Sequence, residues 1–306
     1  MPSIQSPLGA LPARFRRSRV LIVGCGDIGL RVAGLLAHKL TVRALTSQPA
    51  RVAALRGAGI TPLLGNLDHA PTLRRLAGLA PGVLHLAPPA GNGASDRRTL
   101  ALMRALRLRS APLALVYAST SGVYGDCDGA YVDEGRPLAP GTARAKRRVD
   151  AEASVRFFGR SAGVRTSVLR VPGIYAPDRE GGTPLGRLRN GTPVLEVADD
   201  VYTNHIHADD LARACVLALW RGKPQRAYNV NDDSDLKMGD YFAAAAALYG
   251  LPVPRRISKA QAEVEIAPMQ LSFMSESRRM VNTRLKSELG LHLRFPHVLG
   301  GLAATP

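Results

Sequence analysis

Cysteine, lysine and aromatic side chains are scarce in this 306-residue sequence, and each scarcity narrows what the chain can be. The three cysteines, Cys25, Cys127 and Cys215, are far apart and form no C-x-x-C pair, so no disulfide framework is expected and the thiols are read as reduced. Aromatic residues make up 5%, too few to interleave with basic residues as a dedicated nucleic-acid surface does. No apolar run approaches the roughly 18 residues of a membrane span, and the N-terminus lacks the apolar core of a signal peptide. A cytoplasmic protein with no membrane partner is therefore expected. Lysine occurs only at 39, 146, 223, 237, 259 and 286, so the formal net charge of +17 is carried almost entirely by arginine. Arginine pairs at 16–17, 74–75, 97–98, 147–148, 255–256 and 278–279 are scattered along the chain and not gathered into one basic domain. Such a distribution points away from a nucleic-acid partner and is compatible with an anionic small-molecule substrate. Acidic residues are absent throughout 28–67.

What is present is a globular composition, 46% hydrophobic and 21% charged, long enough for one or two domains. Val20-Leu21-Ile22-Val23 is a short buried strand that runs directly into Gly24-Cys25-Gly26-Asp27-Ile28-Gly29. A helix follows, with Ile28, Val32, Leu35 and Leu36 predicted on its buried face. In this G-x-G-x-x-G spacing Gly24 permits the tight turn, Gly26 lets the backbone approach a pyrophosphate, and Gly29 lets helix and sheet pack closely. The helix N-terminus adds free N–H groups and partial positive charge, so the stretch is read as a dinucleotide-binding loop.

The rest of the chain repeats the strand and helix alternation. Residues 1–17 read as a frayed tail. Further strands are predicted at 40–45, 60–64, 83–87, 113–118 and 166–171, with Pro49 and Pro71 opening helices and a long helix over 142–158. This pattern predicts an α/β fold, a doubly wound parallel Rossmann sheet over 18–171 with a smaller C-terminal substrate lobe over 172–306. Residues 205–232 return to the sheet through a helix at 209–220, N-capped by Asp209 or Asp210, and a strand at 227–230. In such a fold an acid near the end of the second strand holds the adenosine ribose. Here that strand ends in Thr46-Ser47 with Arg43, Arg51 and Arg56 nearby, which favours NADP over NAD.

Four later stretches carry a family resemblance. Ala118-Ser119-Thr120-Ser121-Gly122-Val123-Tyr124-Gly125, Arg170 to Pro177, His205 to Ala212, and Ala227-Tyr228-Asn229-Val230 are similar, in order, to S-[ST]-x-x-V-Y-G, R-x-x-x-x-Y-G-P, [IF]-H-V-D-D-[LV]-A and Y-N-[VI]. The chain resembles the extended short-chain dehydrogenase/reductase superfamily, the NAD-dependent epimerases and dehydratases, and Val281 to Gly290 also looks like a segment of it. The resemblance implies an oxidoreductase or epimerase acting on a small polar or nucleotide-sugar substrate, and a helix over 142–158 that pairs copies into a homodimer. It implies a cofactor site of Gly24, Gly26, Asp27, Ile28, Gly29, Thr46, Ser47, Arg51, Asn66, Leu67, Ala87, Pro88, Lys146 and Pro172.

Two departures stand out. The family's glycine loop is G-x-x-G-x-x-G, one residue longer than this one. Its Tyr-x-x-x-Lys pair falls on Thr142-Ala143-Arg144-Ala145-Lys146, with threonine in place of the acid, as in the atypical branch that has lost the tyrosine. A threonine hydroxyl cannot be brought to a useful acidity by a neighbouring lysine. Thr120, Lys146 and Tyr124 are accordingly the candidate catalytic residues, with Tyr175 a further tyrosine at the expected substrate edge. The alternative reading is a non-catalytic NAD(P)-binding sensor or partner subunit. His205 and His207 share a face if their segment is a strand, but lack the further ligands of a metal site, and none is expected.

Overall fold

The computed structural model describes residues 18–272 and 274–304; the expected tail at 1–17 lies outside them. Seven strands form one sheet: β1 (Arg19–Val23), β2 (Thr41–Thr46), β3 (Thr61–Leu64), β4 (Gly82–His85), β5 (Ala114–Thr120), β6 (Arg165–Val171) and β7 (Arg226–Asn229). Their order is β3-β2-β1-β4-β5-β6-β7, and every pairing is parallel. The doubly wound α/β reading holds. The main helices are α1 (Asp27–Leu36), α2 (Arg51–Gly57), α3 (Arg97–Leu106), α4 (Ala143–Ala162), α5 (Leu185–Arg189), α6 (Ala208–Arg221) and α7 (Met238–Tyr249).

Strand alternation sorts the core onto two faces. Val20 and Ile22 join Val32, Leu36, Leu211 and Cys215 on the α1/α6 side. Leu21 and Val23 join Leu102, Leu106, Val155 and Phe158 on the α3/α4 side. A third apolar cluster lies in the lobe built after β6, where Tyr175, Leu195, Tyr241, Phe242 and Ile257 pack together. Two short strand pairs tie this lobe to the sheet's carboxyl edge: Gly173–Tyr175 lies parallel to His205–His207, and Tyr202–Thr203 antiparallel to Leu236–Lys237.

Local chemistry shifts several boundaries. Pro49 does not open α2; residues 49 and 50 form a turn and the helix begins at Arg51. Ala70–Leu76, around Pro71, is a 3-10 helix and not an α-helix. Leu35 is exposed, and Ala33 takes its place on the buried face of α1. Neither Asp209 nor Asp210 caps α6; the cap is His207, whose ring nitrogen accepts the Asp209 N–H. Asp210 instead accepts the N–H groups of Arg294 and Phe295, and Asp209 pairs with Arg31.

One buried ion pair locks α4 to the sheet. Arg170 of β6 forms a fork with Glu152 of α4 (Nη2 to Oε2 2.9 Å, Nε to Oε1 3.2 Å), while Ser119 of β5 donates to the same carboxylate at 2.7 Å. Both charged side chains are almost wholly buried. Replacing Glu152 by Gln strands the Arg170 charge, so the variant should lose about 3–5 kcal/mol of stability, read by denaturant unfolding. A second buried group ties stability to pH. His85, at the end of β4, contacts Thr99 Oγ1 through Nε2 (2.8 Å), and burial pushes its pKa down to about 3. Below about pH 6.5 the unfolded chain protonates this residue and the folded one does not, so its contribution is lost as pH falls towards 3. The stability gap between the native chain and His85→Gln should shrink by about 1 kcal/mol per pH unit between 6 and 4.

Candidate active site

The carboxyl ends of β1, β4, β5 and β6 converge on a cleft whose floor is the glycine loop. Gly24 has φ +89°, and a Cβ there would lie 2.3 Å from the Ala87 backbone nitrogen, so only glycine fits the turn off β1. A Cβ on Gly29 would lie 3.2–3.3 Å from Cys25 Sγ and Ile22 Cγ2, so glycine lets α1 pack closely on the sheet. Gly26 is different: no atom lies within 4 Å of where its Cβ would be. It is also the N-cap of α1 and no side chain caps the helix, which leaves the first backbone N–H groups facing the open space. An open cradle with uncapped donors fits a pyrophosphate. Asp27 and Ile28 line the same groove, about 230 Å³ in volume, and Asp27 is bound by Arg31 and Arg179 (both 3.0 Å).

At the other end of the loop Arg51 donates from Nη2 to the Cys25 carbonyl at 2.8 Å. Thr46 Oγ1 accepts the Gln48 N–H, and Ser47 is exposed beside it. Ala87 is buried against Gly24, and the Pro88 carbonyl receives Arg98. Asn66 is exposed, its side chain accepting the Asp68 N–H, and Leu67 packs on the α3/α4 core. Pro172, expected at the cofactor, lines a neighbouring cavity of about 430 Å³ instead.

That second cavity contains Thr120 at the end of β5, Thr142, Arg144 and Arg148 from the start of α4, and His205 from the lobe. Thr120 Oγ1 accepts the Gly122 N–H, and Thr142 is the N-cap of α4, accepting the Ala145 N–H at 3.2 Å. Lys146 is not in the cleft: it is exposed and lines neither cavity. Arg148 is the residue that lines both, held by bonds from Nη1 to the Ala118 carbonyl (2.6 Å) and the Tyr117 hydroxyl (3.1 Å). The Glu152–Arg170 pair sets this register. Positions 145, 148, 152, 155 and 159 fall on one helical face, and Ala145, Glu152, Val155 and Gly159 on it are buried. Arg144 and Arg148, one turn apart, thus occupy the cleft face, and Lys146 is turned away. Helical periodicity counted from the buried Glu152 places Arg148, two residues after Lys146, on the cleft face.

Tyr124 is buried, donating its hydroxyl to Asn229 Oδ1 (2.7 Å) and accepting from Arg170 Nη1 (2.9 Å). Burial pushes its pKa up to about 12, so the hydroxyl is a structural link between β5, β6 and β7 and not an acid facing the cleft. Tyr175 is buried in the lobe core. His205 is 7% exposed, its Nδ1 without a partner, and burial lowers its pKa to about 4. Among the described residues no group of three or more potential ligands could hold a metal ion, and no helix is long and apolar enough to cross a membrane.

A Rossmann sheet with a glycine cradle at β1 and a further lobe built after β6 defines an extended short-chain dehydrogenase/reductase architecture. Residues 20–231 match the model of the NAD-dependent epimerase/dehydratase family, and the chain belongs to it. It is 30% identical to a conserved protein of unknown function from Silicibacter pomeroyi, with a TM-score of 0.78 over 94% of this chain and 97% of that one. It also shares the fold of the UDP-glucose 4-epimerase of Thermotoga maritima, solved with UDP-glucose, at 19% identity and TM-score 0.75 over 93% and 96% of the two chains. A dTDP-glucose 4,6-dehydratase from Streptomyces venezuelae with NAD bound gives 22% identity and TM-score 0.75 over 93% and 94%. No curated protein matches the sequence.

The two glycines make separable predictions. Gly26→Ala should leave stability within about 1 kcal/mol of the native value yet weaken dinucleotide binding by at least about tenfold, because the new methyl group enters only the open cradle. Gly24→Ala should cost more than about 2 kcal/mol in stability. Thermal unfolding and a fluorescence titration with reduced cofactor check both.

Proposed function

We propose that this chain is an NADP-preferring oxidoreductase or epimerase acting on a small polar or nucleotide-sugar substrate. The observation that carries the reading is the position of Arg148, which lines both the glycine groove and the 430 Å³ cavity and so joins a dinucleotide cradle to a substrate-sized space. Gly24, Gly26, Gly29 and the first N–H groups of α1 would hold the pyrophosphate, Thr46, Ser47 and Arg51 the adenosine end, and Arg148 the end next to the substrate. When bound, the dinucleotide supplies hydride exchange. The absence of any carboxylate from 28 to 67 removes the usual ribose partner and its repulsion of a 2'-phosphate, while Arg51 offers a donor.

The side chains have divided roles in this reading. Thr120 orients a substrate oxygen. Arg144 and Arg148 offer guanidinium N–H donors that stabilise negative charge. His205 is held neutral by burial and lines the cavity as an uncharged imidazole, not as a base.

Titrating NADPH and NADH into the protein tests the cofactor half. NADPH should bind at least about tenfold more tightly, and Arg51→Glu should abolish that preference, since a charge-assisted bond is worth about 1.5–3 kcal/mol. Equal affinities would remove the NADP preference. A screen of alcohols, sugars and nucleotide sugars, followed by nicotinamide absorbance, tests the chemistry, with Thr120→Ala expected to slow any turnover found. Cofactor binding with no turnover across the screen would favour the sensor or partner-subunit reading.

A further inference from the structure

We infer that the 430 Å³ cavity takes a small hydroxylated carboxylate, seated by its carboxylate group on Arg148, and not a nucleotide sugar. The inference rests on the oxidoreductase reading above and narrows its substrate.

The charge balance of the cavity carries it. The lining of this space includes Arg148 and Arg278 and, among the described residues, one carboxylate, Glu276. That carboxylate is consumed by Arg278, which grips one of its oxygens with both terminal nitrogens at 2.9 Å. Arg148 has no carboxylate partner among the described residues. Its hydrogen bonds go to neutral acceptors, the Ala118 carbonyl and the Tyr117 hydroxyl, both met by the same nitrogen. The guanidinium also stacks over the Tyr117 ring at 5.7 Å. A half-buried cation pinned in this way has N–H donors left over and no counter-charge, which is costly without an anion and favourable with one. Arg144 four residues earlier adds a like charge on the same helical face, and the N-terminal turn of α4 adds partial positive charge from its dipole. The lining also carries the hydroxyls of Thr120, Ser121, Thr142, Tyr202 and Thr203, suited to a polyhydroxy ligand.

The adjoining space has the opposite sign. A cavity of about 620 Å³ shares Tyr202 and Ser272 with the first, so a long substrate would extend into it. Asp126, Asp128, Asp199 and Glu263 line it against Lys237 and Lys259. Lys237 is partly withdrawn, its Nζ donating to the Val197 carbonyl at 3.1 Å. A nucleoside diphosphate reaching from the first cavity would bring two negative charges among these carboxylates, a repulsion that a compact monocarboxylate avoids.

Calorimetry on the full chain saturated with NADPH tests this with lactate, gluconate, glucuronate and citrate against glucitol, glucose and UDP-glucose. At least one carboxylate should bind, at least tenfold more tightly than the neutral compounds and UDP-glucose, with affinity falling as salt is raised. Arg148→Met should reduce that binding at least tenfold. Arg144→Gln, which does not touch the glycine groove, should reduce it at least threefold with NADPH affinity unchanged, and it keeps the test valid if Arg148→Met does not fold. Failure of all four carboxylates to bind the NADPH complex, or binding of UDP-glucose in their place, overturns the inference and leaves the cofactor reading standing. Failure of NADPH itself to bind overturns the reading beneath it.

Discussion

The active cleft depends on one buried interaction, the fork between Arg170 of β6 and Glu152 of α4, braced by Ser119 of β5. Two charges removed from water are tolerated because every strong donor and acceptor is matched, and the match fixes how α4 is rotated against the sheet. Tyr124 and Asn229 extend the network to β7, and the Asn229 N–H meets the Glu134 carboxylate at 2.8 Å. Turning α4 by two residues would move Arg148 out of the cleft and Lys146 into it. The network is therefore the reason the cavity is lined by arginine.

The same chemistry accounts for the lysine-poor, arginine-rich composition. Planar guanidinium groups act as internal cross-links here. Arg31 alone holds Asp27, Asp178 and Asp209, joining the glycine helix to the segment after β6 and to the start of α6. Arg226 forks onto Glu288, and Arg256 bridges Asp200 and Asp240. A compact ammonium cannot span such sets with fixed geometry. Many of the arginines are thus held in ion pairs spread over the whole molecule, consistent with the scattered arginine pairs and with the absence of one basic segment.

The fold was legible in the sequence because parallel strands buried on both faces read as continuous apolar runs, and each was punctuated by a glycine or proline. Val20 to Val23, the glycine loop and the returning strand at 227–230 needed no tertiary information beyond that. Helix starts were less legible: a proline marks where a helix can begin, yet at Pro49 a turn intervenes and at Pro71 a tighter helix forms. The α6 cap shows the same limit, since a histidine can accept an N–H as an aspartate does and composition favours the aspartate.

Residue order by itself determined the sheet, the dinucleotide loop and the family, because these rest on local periodicity and on glycines whose backbone demands are local. Only the tertiary structure decided which side chains line the cavity beside the glycine loop. Arg148 and Lys146 are two residues apart and chemically similar on paper; a buried carboxylate four positions further along, paired across the sheet, selects between them. The His205 environment was equally invisible, since its lowered pKa comes from burial under a lobe assembled from distant segments. The three glycines can cradle a dinucleotide by local geometry alone, but what meets the substrate beside it is set by contacts across the fold.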